Sequence, residues 1–173
     1  MDLRSFAEGL RALVEKTPLL ANEDVIAVLI ANPRAGGFAH PAKLAQAMRD
    51  LALATADAAG LERRTRSLSW RLRETDSPRH ATALAAECLE ESALKPKSSW
   101  FVILACGDGT SLEFLDELSR APDELRDRFT VLRLPMGTGN DGSDGRELAD
   151  SLSRLLGKGA VAVQPALRVR PAP

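Results

Sequence analysis

The stretch Trp100-Phe-Val-Ile-Leu-Ala-Cys-Gly-Asp-Gly-Thr-Ser-Leu-Glu113 decides the fold of this chain. An unbroken apolar run ends at Gly107-Asp108-Gly109-Thr110, and apolar residues then return at helical spacing, at Leu112, Leu115 and Leu118. This order predicts a buried strand, a tight glycine loop and a helix. Glycine lacks Cβ, so it can take a positive φ and can let a phosphate approach the backbone. Because the loop leads into a helix N-terminus, which attracts anions, the stretch predicts a phosphate-binding loop.

Composition limits the classes of protein to which the chain can belong. With 173 residues and a formal net charge of −1, it is predicted to form one domain with a sizeable core. The near-zero charge, the few aromatic residues and the lack of tyrosine argue against a nucleic-acid partner. The two cysteines have neither disulfide-framework nor zinc-ligand spacing, and no apolar run approaches the roughly 20 residues of a membrane span. We therefore expect a cytoplasmic protein.

Strands and helices are predicted to alternate along the chain. Residues 2–16 carry apolar side chains on one helical face, which predicts a leading amphipathic helix within residues 1–20, packed on the domain. Strands are predicted at 25–31, 68–72, 100–105 and 129–134 and from residue 160, with helices near 41–51, 78–93, 111–120 and 146–156. This alternation predicts an α/β fold, a Rossmann-like doubly wound and mostly parallel sheet.

Three glycine-containing loops follow three of the predicted strands. In open α/β sheets, ligands bind at these carboxyl ends of the strands. A tight turn between strand and helix would explain any one loop, but their common position favours one shared ligand site. The loops are Asn32-Pro33-Arg34-Ala35-Gly36-Gly37, Gly107-Asp108-Gly109-Thr110 and Pro135-Met136-Gly137-Thr138-Gly139-Asn140-Asp141-Gly142.

Two common nucleotide-binding motifs do not explain these loops. The segment from Gly137 to Gly142 satisfies the dinucleotide pattern G-x-G-x-x-G. However, the next predicted strand, Val161-Ala162-Val163-Gln164, lacks the acidic residue that would bind a ribose. The sequence also contains no G-x-x-x-x-G-K-[ST] P-loop.

Together the three loops resemble the successive signatures of the diacylglycerol kinase catalytic domain. This family includes bacterial diacylglycerol kinases, related lipid kinases and sphingosine kinases. The resemblance covers about residues 24–165, with the motifs in the family's order and spacing. A GDGT loop alone also suits NAD kinases and phosphofructokinases, but the N-P-x-x-G opening at Asn32 and the P-x-G-T-x-N-D closing at Pro135 favour the lipid kinases. The resemblance implies that residues 21–173 form the ATP-binding domain of such an enzyme.

The resemblance also implies roles for individual residues. Backbone groups of the first and second loops would cradle the phosphates of ATP, and Asp108 would be the catalytic residue that lies near Mg²⁺. Glu113 matches an acidic residue of the family, although a first-turn carboxylate that complements the helix dipole is an equal explanation. The implied nucleotide-binding residues are Asn32, Pro33, Arg34, Ala35, Gly36, Thr75, Gly107, Asp108, Gly109, Thr110, Glu113, Gly137 and Thr138.

The activity implied by the resemblance is transfer of the γ-phosphoryl group of ATP to diacylglycerol or a related lipid hydroxyl, with Mg²⁺. The family's β-rich second domain, which carries its catalytic base, is absent from these 173 residues. We therefore expect the chain alone to bind ATP with little or no turnover. A non-catalytic nucleotide-binding or regulatory module and an NAD-kinase-like or sugar-kinase-like enzyme stay open as alternatives.

The sequence departs from the family pattern at three places. Cys106 replaces the first glycine of G-G-D-G-T; it is small enough to fit but cannot reach a positive φ cheaply. Leu112 stands where asparagine is usual, and Gly142-Ser143-Asp144 replaces an aromatic-small-basic run.

A basic stretch lies in and before the predicted second strand. Its arginines could contact anionic lipid headgroups, which would place the protein peripherally at the inner face of a membrane. Charge that protects an edge strand against mispairing is the explanation we favour. The arginines are Arg63, Arg64, Arg66, Arg71 and Arg73.

Overall fold

A computed structural model describes residues 2–139 and 143–158 of the chain. The strands in this part are Asp24–Ala31 (β1), Ser67–Glu74 (β2), Ser99–Cys106 (β3) and Phe129–Pro135 (β4). The helices are Leu3–Val14 (α1), Gly36–Ala39 (α2), Pro41–Asp57 (α3), His80–Leu94 (α4), Asp108–Ser119 (α5), Asp123–Arg126 (α6) and Leu148–Ser153 (α7). A 3₁₀ turn at Pro18–Leu20 and a wide π-helical turn at Arg154–Lys158 complete the described elements.

The strands form one parallel sheet with the order β2-β1-β3-β4. The central strands β1 and β3 are apolar runs that are buried along almost their whole length, as expected for strands covered on both faces. In β2, Leu68, Trp70 and Leu72 pack against the core, whereas Ser69 and Arg73 between and beside them are exposed. The structure confirms the predicted doubly wound, parallel α/β fold.

Helices cover both faces of the sheet. Odd-numbered residues of β1 and β3 join a core beneath α1, α3 and α7, and even-numbered residues join a second core beneath α4 and α5. This division follows from the two-residue side-chain repeat of a strand. Two hydrophobic layers therefore hold the central strands in place and fix the positions of the loops at their ends.

Helix α1 packs its apolar face against the sheet layer. Phe6, Leu10, Leu13 and Val14 are fully buried, and the Ser5 backbone N–H donates to a carboxylate oxygen of the capping residue before the helix at 2.9 Å. The Phe6 ring also meets Phe38 of α2 edge to face, with 5.5 Å between ring centroids. Through this contact α1 supports the segment that follows the first loop. Within the described residues, no helix is both long enough and apolar enough to cross a membrane.

Two boundaries near the predicted loops differ from expectation. Helix α5 begins at Asp108, so Asp108, Gly109 and Thr110 form its first turn and do not belong to a loop. Residues Gly36–Ala39, predicted as loop, form the short helix α2. Both changes place helical backbone N–H groups close to the strand ends.

The last predicted elements are only partly described. Helix α7 begins at Leu148, later than predicted, because Glu147 and Asp150 form a reciprocal capping box there. Gly157 has a φ of 97°, a left-handed conformation that glycine adopts readily, within the wide final turn. The strand predicted from Ala160 lies outside the described residues.

Candidate phosphate-binding site

The carboxyl ends of the four parallel strands lie along one edge of the sheet, which we call the C-terminal rim. Asn32 follows β1, Thr75 follows β2, Gly107 follows β3 and Met136 follows β4. Because β1, β3 and β4 are neighbours in that order, the three loops predicted to bind phosphate lie side by side. Thr75 joins them, since its backbone N–H donates to the carbonyl oxygen of Ala31 at 2.9 Å.

Asn32 connects the first loop to the second. Its backbone N–H donates to the Ala105 carbonyl at 3.2 Å, and its side-chain Nδ2 donates to Oγ1 of Thr110 at 3.4 Å. Its Oδ1 accepts the Arg34 backbone N–H at 2.9 Å, which forms an Asx turn. One side chain therefore shapes the first loop and ties it to the first turn of α5.

Gly37 connects the first loop to the third. Its backbone N–H donates to the Met136 carbonyl at 2.9 Å. A Cβ at position 37 would lie 2.7 Å from Cε and 3.1 Å from the carbonyl oxygen of Met136, so a larger residue would displace this buried methionine. At position 36 a Cβ would lie 3.3 Å from Cγ2 of Thr138. Met136 could not be singled out from sequence, because its role depends on the approach of a glycine from another loop.

The described rim glycines do not supply unusual dihedral angles. Gly107 has a φ of −80°, and a Cβ there would lie 3.8 Å from Cα of Gly137. Within residues 2–139 and 143–158, Gly157 is the glycine with a left-handed φ. Cys106 likewise needs no positive φ, because it is the last residue of β3 and is paired with Pro135. Cysteine therefore meets no conformational hindrance at this position.

Cys106 forms a buried polar contact with Ser111. Its Sγ lies 3.3 Å from Oγ of Ser111, and both side chains are buried. Burial raises the pKa of the Cys106 thiol to about 11, because a thiolate would lose its hydration there, and the hydrogen bond with Ser111 acts in the opposite direction. The neutral thiol thus packs beneath the first turn of α5. Sequence reasoning missed Ser111 because nothing in its spacing marks it as the partner of Cys106.

The long helices that follow β1, β2 and β3 begin without a side-chain cap. Their N-cap residues are His40 for α3, Arg79 for α4 and Gly107 for α5. The side chains of His40 and Arg79 make no capping hydrogen bond, and Gly107 has no side chain to make one. By contrast, Asp2 caps α1 and Glu147 caps α7. Uncapped N-termini present backbone N–H groups and the positive ends of helix dipoles. The C-terminal rim is therefore suited to an anion.

Asp108 is the carboxylate of the first turn of α5 and is partly buried. Glu113 lies in the second turn, so the alternative explanation of Glu113 as a first-turn carboxylate is wrong. Among the described residues, no group of three His, Cys, Asp or Glu side chains could hold a metal ion. A single carboxylate combined with substrate phosphates and water is an arrangement that suits Mg²⁺.

The other predicted site residues differ in their exposure at the rim. Pro33, Arg34 and Thr138 are exposed, whereas Ala35 is buried. Gly109 is exposed, and a Cβ built there would have no atom within 4 Å. Open space therefore lies above the first turn of α5, next to its uncapped backbone.

The arginines of β2 and its approach are largely paired within the protein. Arg71 reaches Glu91 of α4, with 2.7 Å between Nη2 and Oε1. Hydrogen bonds from Arg71 and then Lys95 lower the pKa of Glu91 to about 2. These contacts are those of an edge strand protected by charge. The ion pairs are Arg71–Glu91, Arg73–Glu87 and Arg66–Asp24.

Comparison with known proteins identifies the family to which the chain belongs. The family model of the diacylglycerol kinase catalytic domain matches residues 26–156. A crystal structure described as a "putative diacylglycerol kinase" from Bacillus anthracis str. Sterne is similar over 76% of this chain, with 22% identity and a TM-score of 0.47. The chain spans only 40% of the length of that structure. No curated protein matches. Since the family model covers most of the chain, the chain belongs to the diacylglycerol kinase catalytic domain family.

Proposed function

We propose that this chain binds ATP at the C-terminal rim and forms the nucleotide-binding part of a kinase that phosphorylates diacylglycerol or a related lipid hydroxyl. One observation carries the proposal: the three loops after β1, β3 and β4 hold one another through direct contacts at the rim. Membership of the diacylglycerol kinase catalytic domain family supports ATP as donor and a lipid as acceptor.

The proposed phosphate contacts come chiefly from the backbone. Gly109 leaves the start of α5 open, so phosphate oxygens could approach its N–H groups. The Asx turn at Asn32 holds the first loop beside them. The exposed guanidinium of Arg34 could pair with a phosphate, and Thr138 borders the first loop through Gly36.

Asp108 is the proposed partner of Mg²⁺. Its position at the start of α5 puts a carboxylate beside the proposed phosphate positions, where it could hold the ion directly or through water. When bound, Mg²⁺ would neutralise charge on the nucleotide phosphates. The protein's own contribution is to fix the phosphates and exclude competing orientations.

Calorimetric titration with Mg-ATP tests the binding part of the proposal. In Gly109→Val the added side chain enters space that is open in the free chain, so we expect little loss of folding stability but at least about tenfold weaker binding. Asp108→Ala should weaken binding in a Mg²⁺-dependent way. Gly60→Val is the matched control, because Gly60 also has open space around it but lies in the turn after α3. Unchanged binding by Gly109→Val would contradict the proposed phosphate position.

Transfer of radiolabelled phosphate tests the acceptor separately. With diacylglycerol in mixed micelles, we expect this chain to bind Mg-ATP but to show little or no turnover. The reason is that the proposed contacts of the C-terminal rim are to ATP, the phosphoryl donor, and not to the lipid acceptor. Robust transfer to diacylglycerol would show that expectation to be wrong. Transfer to NAD or to a sugar in place of the lipid would contradict the proposed acceptor class.

A further inference from the structure

Asp144 closes the return arm of the third loop onto β4. Its carboxylate Oδ2 accepts the backbone N–H of Arg133 at 2.7 Å, and its own backbone N–H donates to the Arg133 carbonyl at 2.9 Å. Its Oδ1 also lies 3.3 Å from Nη2 of Arg133. Asp144 thus contacts both backbone polar groups and the guanidinium of a residue 11 positions earlier.

These contacts occupy the side of β4 that faces away from β3. On its other side β4 pairs with β3, where Leu104 lies opposite Arg133. Both backbone groups of Arg133 bond to Asp144, so they face away from β3. A single aspartate therefore satisfies the two backbone polar groups of this residue.

The ion pair between Arg133 and Asp144 is largely shielded from solvent. The side chains of Arg133 and Asp144 are 19% and 21% exposed, whereas those of Arg66 and Asp24, at the amino end of the sheet, are 67% and 39% exposed. Salt screens a shielded pair less than a surface pair, and charge-assisted hydrogen bonds are stronger than neutral ones. The contact of Asp144 is thus better suited than a surface pair to hold a loop in one position.

The third loop has a second anchor on its outgoing arm. Met136 accepts the Gly37 backbone N–H at 2.9 Å and is buried against that glycine. Gly137 and Thr138 follow immediately, and Asp144 fixes the chain on its return to the sheet. The two residues proposed to contact the nucleotide therefore lie between two anchored points.

From this geometry we infer that Asp144 is a positioning residue for nucleotide binding. The inference rests on the function proposed above and assigns to Asp144 the task of holding Gly137 and Thr138 in place before the ligand arrives. A loop that is already ordered loses less conformational freedom on binding, so the affinity for the nucleotide is higher. Without the anchor at Arg133, part of the binding free energy would be used to order the loop.

Calorimetric titration of variants with Mg-ATP tests this inference at a temperature at which all of them are folded. We expect Asp144→Ala to bind about tenfold more weakly than wild type, because the return arm is released. Asp144→Asn keeps an acceptor for the Arg133 N–H and should recover part of the affinity. The matched control is Asp24→Ala, which breaks the pair with Arg66 far from the rim and should change affinity by less than about twofold although it lowers stability.

Amide hydrogen exchange without nucleotide gives an independent measurement. We expect faster exchange at Gly37 and Arg133 in Asp144→Ala than in Asp24→Ala, because release of one anchor loosens the other. Equal exchange at these amides, or wild-type affinity in Asp144→Ala, overturns the positioning role while leaving ATP binding intact. A wild-type chain that does not bind Mg-ATP overturns the proposed function and, with it, the role of Asp144 in binding, so the two failures are distinct.

Discussion

Glycines at the C-terminal rim matter because they have no Cβ. Gly37 lets the first loop touch Met136, whereas a Cβ at position 107 would make only an ordinary contact with Gly137, 3.8 Å from its Cα. A methyl group would crowd the first contact, since it would lie within 3.2 Å of three Met136 atoms. Gly109 differs because its missing Cβ leaves empty space beside the helix start. Glycine therefore serves packing at position 37 and access at position 109.

Replacing Cys106 by glycine, the residue usual for the family at this position, should destabilise this chain. The Sγ is buried and is the hydrogen-bond partner of Ser111, so its removal leaves both a small cavity and an unpaired hydroxyl. We expect Cys106→Gly to lower the free energy of unfolding by about 2 kcal/mol. Urea denaturation measures this, and an unchanged midpoint would show that the contact with Ser111 contributes no stability.

The edge strand β2 is joined to α4 by ion pairs on the face opposite its apolar side chains. Arg71 and Arg73 reach Glu91 and Glu87 on that helix, and Lys95 adds a second cation to Glu91. The ion pairs place charge along an edge that would otherwise attract another strand. They also neutralise arginines that could have met a lipid surface, so the peripheral membrane contact remains a prediction.

Glu91 should give the fold a measurable pH dependence. Its pKa is lowered from 4.5 to about 2, chiefly by the hydrogen bond from Arg71 and then by that from Lys95. Because the folded-state pKa lies below the unfolded value, the stabilisation is complete above pH 4.5 and is lost as the pH falls towards 2. We expect Glu91→Gln to be less stable than wild type at neutral pH and to lose less stability across that interval.

Thermal unfolding at several pH values measures the effect of Glu91. The exposed neighbour Glu90 supplies the control, since Glu90→Gln removes a carboxylate from the same helix without touching the contacts of Arg71. Parallel profiles for wild type and Glu91→Gln would contradict the lowered pKa. A changed profile in Glu90→Gln of equal size would assign the effect to the net charge of α4.

At the scale of the whole molecule, packing on both faces of the sheet brings segments that are distant in sequence together at the C-terminal rim. The core beneath α1, α3 and α7 contains Phe6, while the opposite core contains Phe114 of α5. Phe6 touches Phe38, which follows the first loop directly, so α1 is connected to the rim by one aromatic contact. The geometry of the loops thus depends on residues that lie far from them in sequence.

Truncation of Phe6 should therefore be costly. Its ring is fully buried, so we expect Phe6→Ala to lower the free energy of unfolding by about 3–5 kcal/mol. Leu94→Ala is the comparison, because Leu94 is 82% exposed and its truncation should change stability by less than about 0.5 kcal/mol. Equal midpoints for the two variants in urea denaturation would mean that α1 does not contribute to the core in solution.

The fold was largely predictable because its signals are local. Continuous apolar runs marked β1 and β3, and alternation marked β2 as a strand with one exposed face or at an edge, since burial on two faces or on one leaves a direct pattern in sequence. Motif order indicated the family, which the match over residues 26–156 confirms. The positions of the predicted site residues along the rim follow from the strand ends, whereas their contacts with ATP remain a prediction.

The sequence by itself determined the strands, the long helices and the loops at which the chain turns, because hydrophobic periodicity and glycine act over a few residues. Only the tertiary structure decided the strand order and the pairs that depend on it. Asn32 meets Thr110 across 78 positions, Gly37 meets Met136, and Asp144 returns to Arg133. Such contacts leave no periodic trace in the sequence, because they arise when packing of the sheet brings separate strand ends to the same edge.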